Sequence, residues 1–173
     1  MNAKRHKSDP ANQPVIIDFL TRLRPDSIVE VGIGYGEYGD LIRAAIPQVT
    51  LLGIEVFCPY LDQVTPGVYD LIETSDLRHI PDSFWQGCDI TIWIDGPEHL
   101  APDESLQQIQ RLRSLSRLGL LCACPIVDYP QGAVNGNEYE RHLSQWSVAG
   151  MKSVGAEVVS ANEQTGVFWM PNI

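Results

Sequence analysis

Short apolar runs alternate with amphipathic stretches along this chain, which predicts an α/β protein. The expected form is a doubly wound, mostly parallel, seven-stranded sheet with helices on both faces. Two observations sharpen that class. The first apolar run, Ile28 to Val31, flows directly into a glycine-rich turn. The last two runs lie almost together, so the sheet should finish in an antiparallel C-terminal hairpin. With 173 residues, 44% of them hydrophobic, the chain suits one domain with a sizeable core. The expected organisation is a loose arm over residues 1–13 and a single domain over 14–173.

Each element has its own signal. Pro14 to Leu23 carries apolar residues at 15, 16, 19, 20 and 23, a helical stripe that Pro25 ends. Ser27 to Val31 is a β-branched run and the first strand. Gly36 to Ile46 reads as a helix stopped by Pro47, and Thr50 to Val56 as the second strand. Tyr69 to Thr74 is the third strand, and Asp89 to Ile94 (DITIWI) the fourth. Asp103 to Leu118 has helical spacing at 106, 109, 112, 115 and 118, after which Gly119 opens the fifth strand, LLCACPIV. Asn137 to Ser153 reads as another helix, which would set Glu138, Arg141 and His142 on one face. Glu157 to Ser160 and Gly166 to Met170 form the hairpin around ANEQT. The expectation is therefore five strand-helix units, linked by right-handed crossovers, and then a hairpin.

Charge and cysteine usage exclude several functions. Lys and Arg number 12 against 22 Asp and Glu, a formal net charge of −10, which disfavours a nucleic-acid partner held by its phosphates. No run approaches the roughly 18 apolar residues of a membrane span. The opening MNAKRHKSDPANQP is basic and polar, without the apolar stretch of a leader, and its cluster Lys4, Arg5, His6, Lys7 reads as a solvated terminus. Cys58, Cys88, Cys122 and Cys124 lack the paired spacing of a zinc or disulfide framework. Cys122 and Cys124 share one face of a strand, as small buried thiols in a reducing cytoplasm would.

The most specific segment is Ile28-Val29-Glu30-Val31-Gly32-Ile33-Gly34-Tyr35-Gly36-Glu37-Tyr38-Gly39. Strand, glycine turn and helix start follow in order, so a ligand can approach the backbone more closely than a Cβ would permit. Gly34, Gly36 and Gly39 satisfy the dinucleotide pattern G-x-G-x-x-G, and Glu55 stands where a ribose-binding acid would. Glu30, two residues before the first glycine, argues the other way. A carboxylate there, with Glu37 at the helix start, repels a diphosphate and welcomes a cation.

These residues resemble the class I methyltransferases that use S-adenosyl-L-methionine, a Rossmann-like family, over nearly the whole chain from about residue 27. The resemblance implies that Glu30, Gly32, Gly34 and Gly36, with Ile33, wrap the methionine part of the cofactor. It implies that Glu55, with Val56, holds the ribose hydroxyls, and that Asp76, with Leu77, approaches the adenine. Asp95, in WIDGPEHL, would end the fourth strand beside the transferred methyl. Each acid also has an ordinary role open to it; Asp76 and Asp103 are natural helix caps.

The stretch VEVGIGYGEYGDLIRAAIPQVTLLGIEVF is similar to tRNA guanine-N7 methyltransferases. That likeness stops after the second strand. Those enzymes then carry a Pro-Asp-Pro-Trp segment and basic residues where this chain has GPEHLAPDESL. The second half resembles small-molecule methyltransferases instead, in which an acid-His pair follows the fourth strand, as Glu98-His99 does here. Residues 125–146 resemble a segment of methyltransferase-like proteins from bacterial surface-sugar pathways. This long loop gathers Asp128, Tyr129, Gln131, Asn135, Asn137 and His142 at the ligand-binding end of the sheet.

The resemblance implies a cytoplasmic methyltransferase acting on an O or N atom of a small polar or sugar-like metabolite. His99 and His142 would handle the proton, with Asp95 beside the reacting centre. An RNA or tRNA methyltransferase, a nicotinamide-dependent oxidoreductase and a non-catalytic cofactor-binding module stand as alternatives. Asp95, His99, Asp128 and His142 could converge on a cation. The closely spaced acid pair of metal-dependent relatives is missing, so no metal is predicted. The sequence is silent on oligomeric state.

Overall fold

The structure is a computed structural model and describes residues 8–172. Seven strands form one sheet in the order β3-β2-β1-β4-β5-β7-β6. They are β1 (Ser27–Val31), β2 (Thr50–Ile54), β3 (Leu71–Glu73), β4 (Ile90–Ile94), β5 (Gly119–Pro125), β6 (Glu157–Ala161) and β7 (Thr165–Pro171). The first five pair in parallel; β7 runs antiparallel to β5 and β6 antiparallel to β7. The expected mostly parallel sheet with a C-terminal hairpin is therefore present. All five residues of β4 and the first six of β5 are buried, as central strands covered on both faces require.

Period-two alternation sorts the strand residues into two cores. Ile28, Ile90, Ile92 and Leu121 pack with Ile16 and Leu20 of helix α1 (Asn12–Leu23) and Ile42 of α2 (Glu37–Ala45). On the opposite face Val29, Trp93, Leu120 and Cys122 pack with Ile109 and Leu112 of α3 (Pro102–Leu115) and Met151 of α4 (Val148–Ser153). Cys122 and Cys124 fall on the same face, both buried and both free thiols. Arg24 ends α1 in the left-handed region (φ 51°), its N–H donating to the Leu20 carbonyl, and Pro25 prevents any extension.

Three expectations are corrected. Helices do not follow every strand. The crossovers after β2 and β3 are made by 3-10 turns at Cys58–Gln63, Leu77–His79 and Asp82–Trp85. The helix read over Asn137–Ser153 is a single 3-10 turn at Glu138–Glu140, an extended stretch, and then the short α4. The cause is tertiary: the N–H of His142 donates to the Gln131 carbonyl, and those of Leu143 and Ser144 to the Glu98 carbonyl. Backbone groups spent on those partners cannot build an i to i−4 ladder. Finally, α1 starts at Asn12, inside the expected arm. Asn12 is buried, and Asp9 accepts hydrogen bonds from Asn162 and Thr165. The basic cluster Lys4 to Lys7 lies outside the described residues.

Candidate functional site

The strand order reverses between β1 and β4, and at their carboxyl ends the chain leaves in opposite directions. A cavity of about 790 Å³ opens there. Every predicted site residue lines it except Gly36. Asp128 stands outside it as well.

One wall is the glycine turn. Gly32, Gly34 and Gly36 have φ of 71°, 53° and 79°, values that favour glycine. The N–H groups of Gly32 and Ile33 both donate to the Ile54 carbonyl, which ties the turn to the end of β2. A Cβ added at Gly32 or Gly34 would meet nothing within 4 Å, so the turn leaves a cradle open beside its backbone. Gly39, the last glycine of the dinucleotide-like pattern, has a different job. A Cβ there would collide with the Tyr69 side chain.

Glu55 stands just past β2, 5% exposed, and is held at both oxygens. Gly34 N–H donates to Oε2 and Phe57 N–H to Oε1, each at 2.8 Å. Burial raises its pKa, and the two amides oppose the rise. Glu30 is 3% exposed and accepts a hydrogen bond from the Tyr69 hydroxyl at 2.8 Å. Burial pushes its pKa up to about 8, partly countered by that hydroxyl. Tyr38 also lines the cavity, and its buried hydroxyl has no hydrogen-bond partner. Asp76 lines the cavity, and its oxygens accept from Arg78 N–H and from the Arg78 guanidinium, capping a 3-10 turn. That partner lowers its pKa.

The opposite wall follows β4. Asp95 has φ 47°, a strained conformation for a side chain of this size, held by its N–H donating to Ala123 O at 2.9 Å. Gly96 must be glycine, because a Cβ would run into the Trp93 indole. The 3-10 turn Pro97–His99 then presents Glu98 and His99, and the extended stretch brings His142 against them. The two imidazole rings stand 5.0 Å apart at 71°. His99 Nδ1 lies 3.3 Å from the Arg141 carbonyl and His142 Nδ1 2.6 Å from the Tyr129 carbonyl. A carbonyl only accepts, so each Nδ1 presents an N–H to it. Burial holds the His99 pKa below its ordinary range.

Sequence reasoning missed Tyr38 and Tyr69 and did not rank Glu98 as a site residue. Tyr38 lies within the glycine segment, but nothing local tells that its hydroxyl is buried without a partner. Glu98 was visible beside His99. Its near-complete burial follows from packing of the 142–144 stretch, which the helix reading had displaced.

No family model matches this chain, and no curated protein matches it. Solved structures do. The N-terminal domain of EvdMO1, with SAH bound, is similar at a TM-score of 0.66 and 14% identity, over 98% of this chain and 89% of that one. Magnesium protoporphyrin IX methyltransferase (ChlM) from Synechocystis PCC 6803, also with bound SAH, gives 0.66 and 13%, over 98% and 90%. An O-methyltransferase family protein from Burkholderia thailandensis gives 0.59 and 14%; 92% of this chain covers 56% of that one. The chain therefore spans just over half the length of that protein. The fold is that of the class I methyltransferases, as the sequence resemblance implied.

Proposed function

We propose that the chain is an S-adenosyl-L-methionine-dependent methyltransferase, acting on an oxygen or nitrogen atom of a small polar, sugar-like metabolite in a reducing, cytoplasmic compartment. One observation carries the choice of cofactor. Nine acidic side chains line the cavity, and no lysine or arginine among the described residues does. Even with Glu30 and Glu98 kept protonated by burial, the lining carries acidic groups and no basic side chain of that kind. Such a lining opposes a diphosphate and attracts a ligand with a positive centre, so it speaks against a nicotinamide dinucleotide.

The residues present fit that group. Gly32 and Gly34 leave their backbone open beside the cavity, and Glu55 presents an anchored carboxylate to hydroxyl groups. Bound there, the cofactor would supply an electrophilic methyl group on a sulfonium. The chain's own contribution is position and proton handling. Glu30 places a latent negative charge under the glycine turn. Asp95, fixed at the tip of β4, faces the same space as His99 and His142, whose Nε2 atoms can take up or pass on a proton. Tyr129 and Tyr139, half exposed on the loop that closes this side, give aromatic faces on which sugar rings stack.

Calorimetric titration with S-adenosylhomocysteine and, separately, with NADH tests the reading. Binding of the first alone is expected. Preference for NADH, or binding of neither by folded protein, would overturn it.

A further inference from the structure

The cluster of Glu98, His99 and His142 does more than carry protons. We propose that these three side chains form a binding site for a divalent transition-metal ion, open on the cavity side.

Three independent features converge. First, one ligand atom from each residue lies within 4.8 Å of the others. An ion bound at about 2.1 Å would draw such donors to roughly 3–4 Å, a closure that small side-chain rotations supply. Second, Glu98 is 2% exposed, and its Oε2 has no hydrogen-bond partner. A buried carboxylate oxygen without a partner is costly and calls for a proton or a cation. Third, both imidazoles give their Nδ1–H to backbone carbonyls, those of Arg141 and Tyr129. This outer arrangement fixes the tautomer of metal-binding histidines and leaves Nε2 as the ligand atom. It comes from two separate loop carbonyls, so one turn's geometry does not explain it.

The ligands are also held from behind. The Glu98 carbonyl accepts from Leu143 and Ser144, and the Pro97 carbonyl accepts from the Ser105 and Ser144 hydroxyls. The 97–99 turn, the 142–144 stretch and the start of α3 thus form one stapled unit. Glu98 and His99 are neighbours and His142 comes from a distant loop; the sequence predicted no metal because a closely spaced acid pair is missing. Asp95 and Asp128, which the sequence grouped with the two histidines, are not part of the cluster.

Two nitrogens and one carboxylate oxygen favour zinc, manganese, iron or cobalt over magnesium or calcium, which prefer all-oxygen shells. Three protein ligands leave positions for solvent or substrate oxygen. The ion's use rests on the transferase reading: it would hold a substrate hydroxyl and make its proton easier to lose. The site itself does not depend on that reading.

The test is a Co²⁺ titration of the chelator-stripped full chain, followed by visible absorption and calorimetry. Wild type, Glu98→Gln, His142→Ala and Cys58→Ser are compared. One ion per chain is expected, without thiolate charge-transfer absorption, and Mg²⁺ should not compete for it. Glu98→Gln and His142→Ala should each weaken binding at least tenfold, and Cys58→Ser should leave it unchanged. If Glu98→Gln fails to fold, the half-buried His142 decides. Absence of binding by folded wild type, or binding that survives His142→Ala unchanged, would overturn the site. S-adenosylhomocysteine binding, measured without metal on the same samples, reports separately on the transferase reading.

Discussion

The two walls of the cavity are built on opposite plans. On the β1–β2 side, the carboxylates are held within the protein, Glu55 by two amides, Glu30 by Tyr69 and Asp76 by Arg78, and the Tyr38 hydroxyl alone of the groups described there lacks a partner. On the β4 side, Asp95 is conformationally strained, Glu98 keeps a buried oxygen without a partner, and the His142 imidazole comes from a long irregular stretch. A wall with its bonds already made needs little rearrangement to hold an invariant ligand. A wall with bonds still to make is where a variable ligand or an ion supplies the missing partner.

If the first wall is truly prebuilt, damage to its frame should cost stability. Gly39→Ala is the sharpest probe. The added Cβ displaces Tyr69, overpacking the α2 face and leaving Glu30 without its donor. A loss of about 2–4 kcal/mol is expected from those two effects together. Thermal denaturation should show it as a drop of roughly 5–15 °C. An unchanged melting point would mean that the Tyr69–Glu30 pair does not brace this wall.

The next probe separates frame from ligand contact. Glu55→Ala removes a carboxylate that serves two amides and, on the proposed reading, the cofactor as well. S-adenosylhomocysteine affinity should fall by about 1.5–3 kcal/mol, a factor of roughly 10 to 100. Equal affinity by calorimetry would remove Glu55 from the binding wall.

The same contrast explains what was legible beforehand. Strands such as DITIWI and LLCACP announce themselves because burial on both faces requires an unbroken apolar run. The glycine turn was legible because positive φ at Gly32, Gly34 and Gly36 restricts residue choice. The 137–153 segment was misread because its apolar spacing fits a helix, and the competing bonds from His142, Leu143 and Ser144 come from residues 98 and 131. Long-range hydrogen bonds leave no periodic trace. His99 and His142 were grouped from the sequence, but the approach of Glu98 to both depends on that same irregular path.

Glu30 gives a pH-dependent probe. Its folded pKa, about 8, lies above the ordinary 4.5, so the folded chain keeps a proton that the unfolded chain has released. The stability this adds is full below the ordinary value and is lost as pH rises through about 8. Glu30→Gln should therefore flatten the fall in denaturation midpoint between about pH 5 and about pH 9. A cationic ligand should also draw the proton off wild type near neutrality. Calorimetry in buffers of different ionisation enthalpy would record that release, and its absence would show that Glu30 does not face the ligand's charge.

The smallest effect belongs to Asp76, where the sequence resemblance implied a contact with adenine. Both its oxygens already accept from Arg78, and one also caps the turn at Leu77–His79. Asp76→Asn keeps the size and most of the capping ability while weakening the ion pair with a half-exposed arginine. A stability change of about 1 kcal/mol or less follows, since pairs at such sites contribute little. Cofactor affinity should shift by no more than about threefold, because an oxygen engaged by a guanidinium is a poorer acceptor for a second donor. A tenfold or larger loss would mean that Arg78 yields its place to the ligand. The β1–β2 wall would then be less prebuilt than its internal bonds indicate, and the difference between the two walls would be one of degree.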